Sequence, residues 1–283
     1  MRLKFILILL LFVVFSYAQN DTIKKKKLYR CLALDVATIT TSSIFLYQAW
    51  YKNYPSSSWH WFNDSKEWLQ MDKCGHAYAS YTLSSVFTYQ LQTTGVEQNK
   101  ALFLGTSLGF LSISTIEILD AQSKQWGASY TDLLANFTGS NLFFWQEITW
   151  KEQRIRMKYS FHRTPYAQQR PSILGENLGQ EILKDYNGQT YWLSANISSF
   201  IRQTRIPRWL NIAVGYGAEG MITAQQNNNS QRLYYLSLDI DLTRIPIRSH
   251  FLRKLLAVLN VFKIPMPTIM YGPNGIQAYF IYF

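Results

Sequence analysis

Hydrophobic positions recur at helical spacing over residues 28–150 and at every second residue over most of 159–283. The first stretch divides into four segments, 31–51, 72–94, 101–119 and 131–150. Each is long enough to span a bilayer and equally suited to a buried four-helix bundle. The third carries no charge before Glu117, whereas the first is interrupted by Asp35 and several Ser and Thr. In the second stretch Leu193 and Ala195 alternate with Ser194 and Asn196, and Leu210, Ile212, Val214 and Tyr216 continue the pattern. Tyr234, Leu236, Leu238 and Ile240 stand opposite Ser237, Asp239 and Asp241, and a last strand covers 276–283. Asn and Gly-Pro-Asn-Gly runs at 227–230 and 272–275 mark turns. Four or five strands are expected, too few for a closed membrane barrel of about eight. The pattern therefore predicts an α+β chain: an N-terminal four-helix bundle over 19–157, then an antiparallel β region over 158–283 packed on it. Within that region, 249–262 reads as one amphipathic helix with Leu252, Leu255, Leu256, Leu259 and Phe262 on one side. It either covers the sheet or lies in a membrane interface.

Composition adds a compartment. Arg2 and Lys4, an apolar run at 5–15 and Ser16-Tyr17-Ala18 have the layout of a secretory signal peptide over residues 1–18. No cysteine follows the apolar run at the expected cut, so a lipid anchor is not expected there. The formal charge is +11. For an exported chain this favours an anionic membrane lipid or lipopolysaccharide surface as partner rather than nucleic acid. The basic run Lys24 to Lys27, placed outside the cytoplasm, disfavours ordinary inner-membrane spans. The terminal Phe283, closing an alternating strand, is similar to the targeting end of outer-membrane β proteins. The expected location is periplasm or outer membrane, with the inner membrane as the alternative. The loop at 51–71 holds Tyr51, Tyr54, Trp59, Trp61, Phe62 and Trp68, suited to a membrane interface or to a cap on the bundle. Cys31 and Cys74 are expected as unpaired thiols.

The chemistry lies in polar residues at helical spacing. Asp72 and His76 share a face with Lys73 beside them; Glu117 and Asp120 are one turn apart; Asp132 and Asn136 share a face. Buried charges require partners, so these groups are expected to form a network. One reading is a polar core that fixes helix register, with Asp72, Thr131 or Asp132 also serving as N-caps. Another is catalytic: His76 as general base, Asp72 or Glu117 orienting it, Lys73 stabilising an anion on an envelope lipid or glycan. A third reading is a metal site, since carboxylates with one histidine can ligate a divalent ion, although a single histidine beside Lys73 makes a poor zinc set; neither a nucleophile motif nor a phosphate loop is present. No cofactor or metal is expected.

Asp72-Lys73-x-x-His76, Glu117 and Asp132-x-x-x-Asn136-x-x-Gly139 together resemble the VanZ-like family. More closely, they resemble the YfiM-like family of predicted periplasmic lipoproteins, of unknown function. The stretch 71–78 and Gly127-x-Ser129-x-x-Asp132 carry most of the likeness. The resemblance implies a small helical bundle and brings no established reaction. The VanZ-like pattern has a glutamine after its glutamate and an arginine before its final aspartate; this chain has Asp120 and, between Glu117 and Asp132, Lys124 and no arginine, and it has Ser80, followed by Tyr81, where an aromatic residue is expected. The combined expectation is a non-enzymatic, membrane-associated envelope protein. An enzyme using His76 and an outer-membrane β protein with a helical periplasmic domain are the alternatives.

Overall fold

A computed structural model describes residues 24–52, 54–201 and 205–282. The expected signal peptide over 1–18 and the terminal Phe283 lie outside the described residues. The chain is α+β and forms two units, one from residues up to 63 together with 79–149, the other from 64–78 together with 150–283.

The helical unit contains α1 (Lys25–Leu46), which continues through a π-helical turn at Tyr47–Tyr51, most of α2 (Met71–Thr93), α3 (Gln98–Asp120) and α4 (Tyr130–Trp150). Residues 71–78 of α2 belong to the other unit. Gly95, at φ 89°, ends α2 in the left-handed conformation that only glycine adopts freely. The seam between α2 and α3 is built from small residues. A Cβ on Gly105 would lie 2.4 Å from the Thr88 backbone nitrogen, and one on Gly109 would lie 2.5 Å from that of Ser84. An apolar cluster of Leu28, Phe87, Leu91, Leu104 and Leu108 fills one end. Many of the other buried positions are polar, including Ser80, Ser84, Thr88, Ser112, Asn136 and Glu147, beside the buried rings of Tyr81 and Phe143, while Leu34, Phe103, Leu134, Phe137 and Trp145 are exposed. Among the described residues one helix, α3, is long and apolar enough to cross a membrane, and half of that window is buried. The aromatic loop pairs with the α3–α4 connection through bridges at Ser56–Ser123 and Trp61–Ala128. Trp61 stacks on Tyr130 with ring centroids 3.9 Å apart.

The β unit is a six-stranded antiparallel meander: β1 (Ile155–Phe161), β2 (Gln189–Asn196), β3 (Leu210–Glu219), β4 (Gln231–Ile240), β5 (Met266–Gly272) and β6 (Gly275–Tyr282), paired in chain order. Three short helices, α5 (Tyr166–Gln169), α6 (Pro171–Leu174) and α7 (Leu178–Lys184), join β1 to β2; α8 (Ile197–Phe200) follows β2 and α9 (His250–Leu259) follows β4. Six strands exceed the four or five expected. In β1 the inward side is Arg156, Lys158 and Ser160, which reads as loop rather than strand, and β5 contains Pro267. The expected amphipathic helix is α9, capped by Ser249, whose Oγ accepts the Leu252 N–H at 3.4 Å.

The alternation is as expected, but the two faces are assigned the other way round from a water-soluble sheet. Register places Lys158, Trp192, Gly215 and Tyr235 side by side on one face, next to Ser194, Ala213 and Ser237, and then Asn196, Asn211 and Asp239. These residues are buried apart from Gly215, which is partly covered. Gly215 admits the Trp192 ring, since a Cβ there would lie 2.6 Å from it. The opposite face carries Leu193, Ile212, Val214, Leu236, Leu238, Ile269 and Phe280, all exposed, and α9 likewise exposes Phe251, Leu252, Leu255, Val258 and Leu259. One end of that apolar face is covered: Tyr159, Tyr191 and Ala218 pack on Leu69 and Met71 of the 64–78 segment.

Candidate functional site

The candidate residues divide between the units, and each half has its own supports. In the β unit, residues 67–70 make one turn of 3-10 helix with Trp68, Leu69 and Gln70 at φ 48°, 50° and 65°. Three consecutive non-glycine residues in this region store on the order of 1–3 kcal/mol each. The turn is held by the Trp68 N–H donating to the Ala224 carbonyl at 2.8 Å, by the Tyr216 hydroxyl donating to the Leu69 carbonyl, and by Arg232 Nη2 donating to Gln70 Oε1 at 2.6 Å. It delivers the chain into α2 with Asp72 in the first helical turn, where a carboxylate meets the positive helix end.

Lys73 is the centre of this half. Its Nζ lies 2.6 Å from Asp64 Oδ2 and 2.8 Å from Asp72 Oδ2, with the side chains nearly buried. The Lys73 backbone N–H donates to Asp72 Oδ1 at 2.9 Å, so Asp72 binds within its own helix turn rather than capping the helix from outside. Burial raises the Asp72 pKa above the usual carboxylate range, against the opposing pull of Lys73 and of His76, one turn further along. Cys74, beside them, is a free thiol pushed up to about 11 by burial and then by Asp72. It is therefore protonated and not a nucleophile at neutral pH. Gly75 passes close to Tyr191, whose hydroxyl would lie 2.8 Å from a Cβ there. Tyr78, Tyr159 and Tyr191 form a ring cluster with centroids 5.5–5.9 Å apart.

In the helical unit, Ser129 links two of the expected residues. Its backbone N–H donates to Glu117 Oε2 at 2.8 Å, and its Oγ accepts the Asp132 N–H at 3.1 Å. Ser129 is thus the cap of α4, in place of the Thr131 or Asp132 anticipated. Asn136 is fully buried; its Nδ2 donates to Ser114 Oγ at 3.3 Å, and its carbonyl accepts the Ser80 hydroxyl at 2.7 Å. Ser80 therefore sits where an aromatic side chain would find no room. Asp120 accepts the Tyr51 hydroxyl at 2.7 Å. Asp64 was invisible to periodicity because it lies in a loop, and the Ser129 contact to Glu117 spans a connection whose path no spacing rule specifies.

The arrangement can neutralise and move protons: a lysine shared by two carboxylates, with a histidine one turn away. It contains no activated nucleophile among the described residues.

Known proteins give one point of comparison. A family model described as a predicted periplasmic lipoprotein (DUF2279) matches residues 58–146. That segment holds Asp64, Asp72, Lys73, His76, Glu117, Asp132 and Asn136. No curated protein and no solved structure matches the chain. Over the matched segment the chain is similar to a family of unknown function, and the match supports an exported, periplasmic location.

Proposed function

We propose that the protein is a non-enzymatic, membrane-associated component of the cell envelope. On this reading it seats the apolar face of its sheet, with α9, on an anionic lipid surface. The observation that carries this is the inversion of the sheet: an ion pair and amides buried on one side, with Leu193, Ile212, Val214, Leu236 and Leu238 exposed on the other. In water this is unfavourable, since covering a large apolar side chain is worth about 1.5–3 kcal/mol. Against lipid it is the favourable orientation. Arg248, Arg253 and Lys254, at and just before α9, are exposed and give the apolar patch a basic border, each worth about 1 kcal/mol against anionic headgroups. The outer membrane is the surface this reading favours, because apolar-out, polar-in alternation is the habit of its β proteins. We also infer that the helical unit is related to the YfiM-like and VanZ-like proteins, on the order and spacing of Asp72, Lys73, His76, Glu117, Asp132 and Asn136.

Vesicle flotation tests the lipid reading. The purified protein is expected to float with phosphatidylglycerol-containing vesicles, less so at high salt, and the double variant Val214→Asp/Leu236→Asp is expected to remain in the dense fraction while still folded. Recovery of the parent protein in the dense fraction with every vesicle composition overturns it.

A second reading, an enzyme using His76, is favoured by the strained turn that sets Asp72, because stored backbone strain concentrates at working sites.

A further inference from the structure

The buried face of the sheet does not fill completely. At the end away from the Lys158–Asp239 region it opens into a pocket of about 390 Å³. Its floor follows the register of the sheet: Glu219 faces Gln231 across β3 and β4, Tyr235 faces Met270 across β4 and β5, and Met270 faces Gln277 across β5 and β6. Every lining residue belongs to the β unit.

The chemistry of the lining selects a ligand class. Tyr235, Tyr279 and Tyr282 supply aromatic surface: the Tyr235 and Tyr282 rings are 4.8 Å apart, and those of Tyr279 and Tyr282 are 5.5 Å apart. Their hydroxyls are held in place, Tyr282 donating to Tyr235 at 2.9 Å and Tyr279 to Gln277 Oε1 at 2.7 Å. Glu219 Oε1 accepts from Gln231 Nε2, while Glu219 Oε2 has no hydrogen-bond partner among the described residues. Asn187 is fully used by Asp185 and the Met221 backbone, so it shapes the wall and does not read a ligand. Among the described residues no lysine or arginine lines the pocket, although the chain is strongly basic. That disfavours an anionic ligand: a phosphate or carboxylate would enter beside Glu219 and meet only His162, whose pKa burial lowers, so that its neutral form prevails.

Ring faces with amides and one carboxylate acceptor fit a neutral polyhydroxylated molecule. Its C–H faces stack on tyrosine, and its hydroxyls donate to Glu219 and exchange bonds with Gln231 and Gln277. The volume lies within the range of about 300–1,000 Å³ found for small-molecule sites. We propose that this pocket binds a neutral glycan of the cell envelope. The pocket is on the opposite face of the sheet from the proposed lipid seat, so the two functions are compatible, and neither depends on the other.

Isothermal titration and tyrosine fluorescence of the full chain in the absence of vesicles test this separately from lipid binding. The probes are an N-acetylglucosamine trisaccharide, representing cell-wall sugars, a hexose trisaccharide, representing lipopolysaccharide core, and choline as an organic cation that also suits tyrosine and glutamate. The expected result is saturable binding of one trisaccharide in the micromolar to millimolar range. Binding is expected to fall at least tenfold in Tyr279→Ala and in Gln277→Ala, both near the sheet edge, with unchanged melting. Glu219→Gln, which keeps the shape, is expected to weaken binding without unfolding. Saturation by choline alone, binding by neither sugar, or sugar binding indifferent to all three substitutions overturns the proposal.

Discussion

Lys158 and Asp239 form an ion pair at 2.8 Å, Nζ to Oδ2, with neither side chain exposed. Lys158 also donates to the Ile240 carbonyl at 2.7 Å, and Asp239 accepts the Ser194 hydroxyl at 2.6 Å. The pair is therefore desolvated and fully engaged. Removing one partner strands the other: Lys158→Met is expected to destabilise the β unit by about 3–5 kcal/mol, whereas Lys158→Met/Asp239→Leu is expected to recover much of the loss. Urea denaturation of the single and double variants measures both.

Lys73 serves two carboxylates, Asp64 and Asp72, at 2.6 and 2.8 Å. Lys73→Met leaves them facing each other, and burial already raises the Asp72 pKa. With the folded pKa pushed further above the unfolded one, the folded state takes up protons more readily, so stability rises as pH falls through that folded value. The variant is expected to melt lower than the parent at neutral pH and to close the gap as pH falls toward the unfolded aspartate value of about 3.9, measured by melting across pH. His76→Gln separates the catalytic from the structural reading. Unchanged melting with a lost envelope phenotype supports catalysis or ligand contact; unchanged melting with an intact phenotype removes His76 from any functional role.

Asp35, in the apolar helix α1, has its pKa raised to about 6 by burial, partly offset by a hydrogen bond from Gln90. An acid whose pKa is higher folded than unfolded stabilises the protein when protonated, and this contribution is lost as pH rises from about 4 to about 6. The whole shift amounts to about 3 kcal/mol, and partial solvent access reduces it. Asp35→Asn is therefore expected to raise stability at pH 7 by about 1–2 kcal/mol and to flatten the profile between pH 4 and 6, as read by chemical denaturation.

Much of this architecture is legible in the pattern of residues. The 3.6-residue period placed α2, α3 and α4 within a few positions, and the period of two found β2, β3, β4 and β6. Strand β1 escaped because Arg156 and Lys158 point inward, and charges on an inward face read as solvent-exposed. The alternation also could not say which face is covered, because a period of two is the same for a sheet in water and a sheet against lipid. At the site, Asp72, Lys73 and His76 were found because they lie on one helix. Asp64 was not, and Ser129 entered only through the family resemblance and not as a partner of Glu117, because loop residues acquire partners through chain path rather than spacing. The left-handed turn at 67–70 has no glycine to announce it.

One feature of the sheet limits how copies of this chain can associate. The outer edge of β1 is occupied at its centre, where the Tyr159 N–H donates to the Val261 carbonyl and the Lys263 N–H donates to the Tyr159 carbonyl. Among the described residues β6 pairs with β5 alone. The sheet thus has one open edge and one blocked edge. Strand addition can join two molecules β6 to β6 in a closed pair, but it cannot propagate into a filament, which needs both edges free.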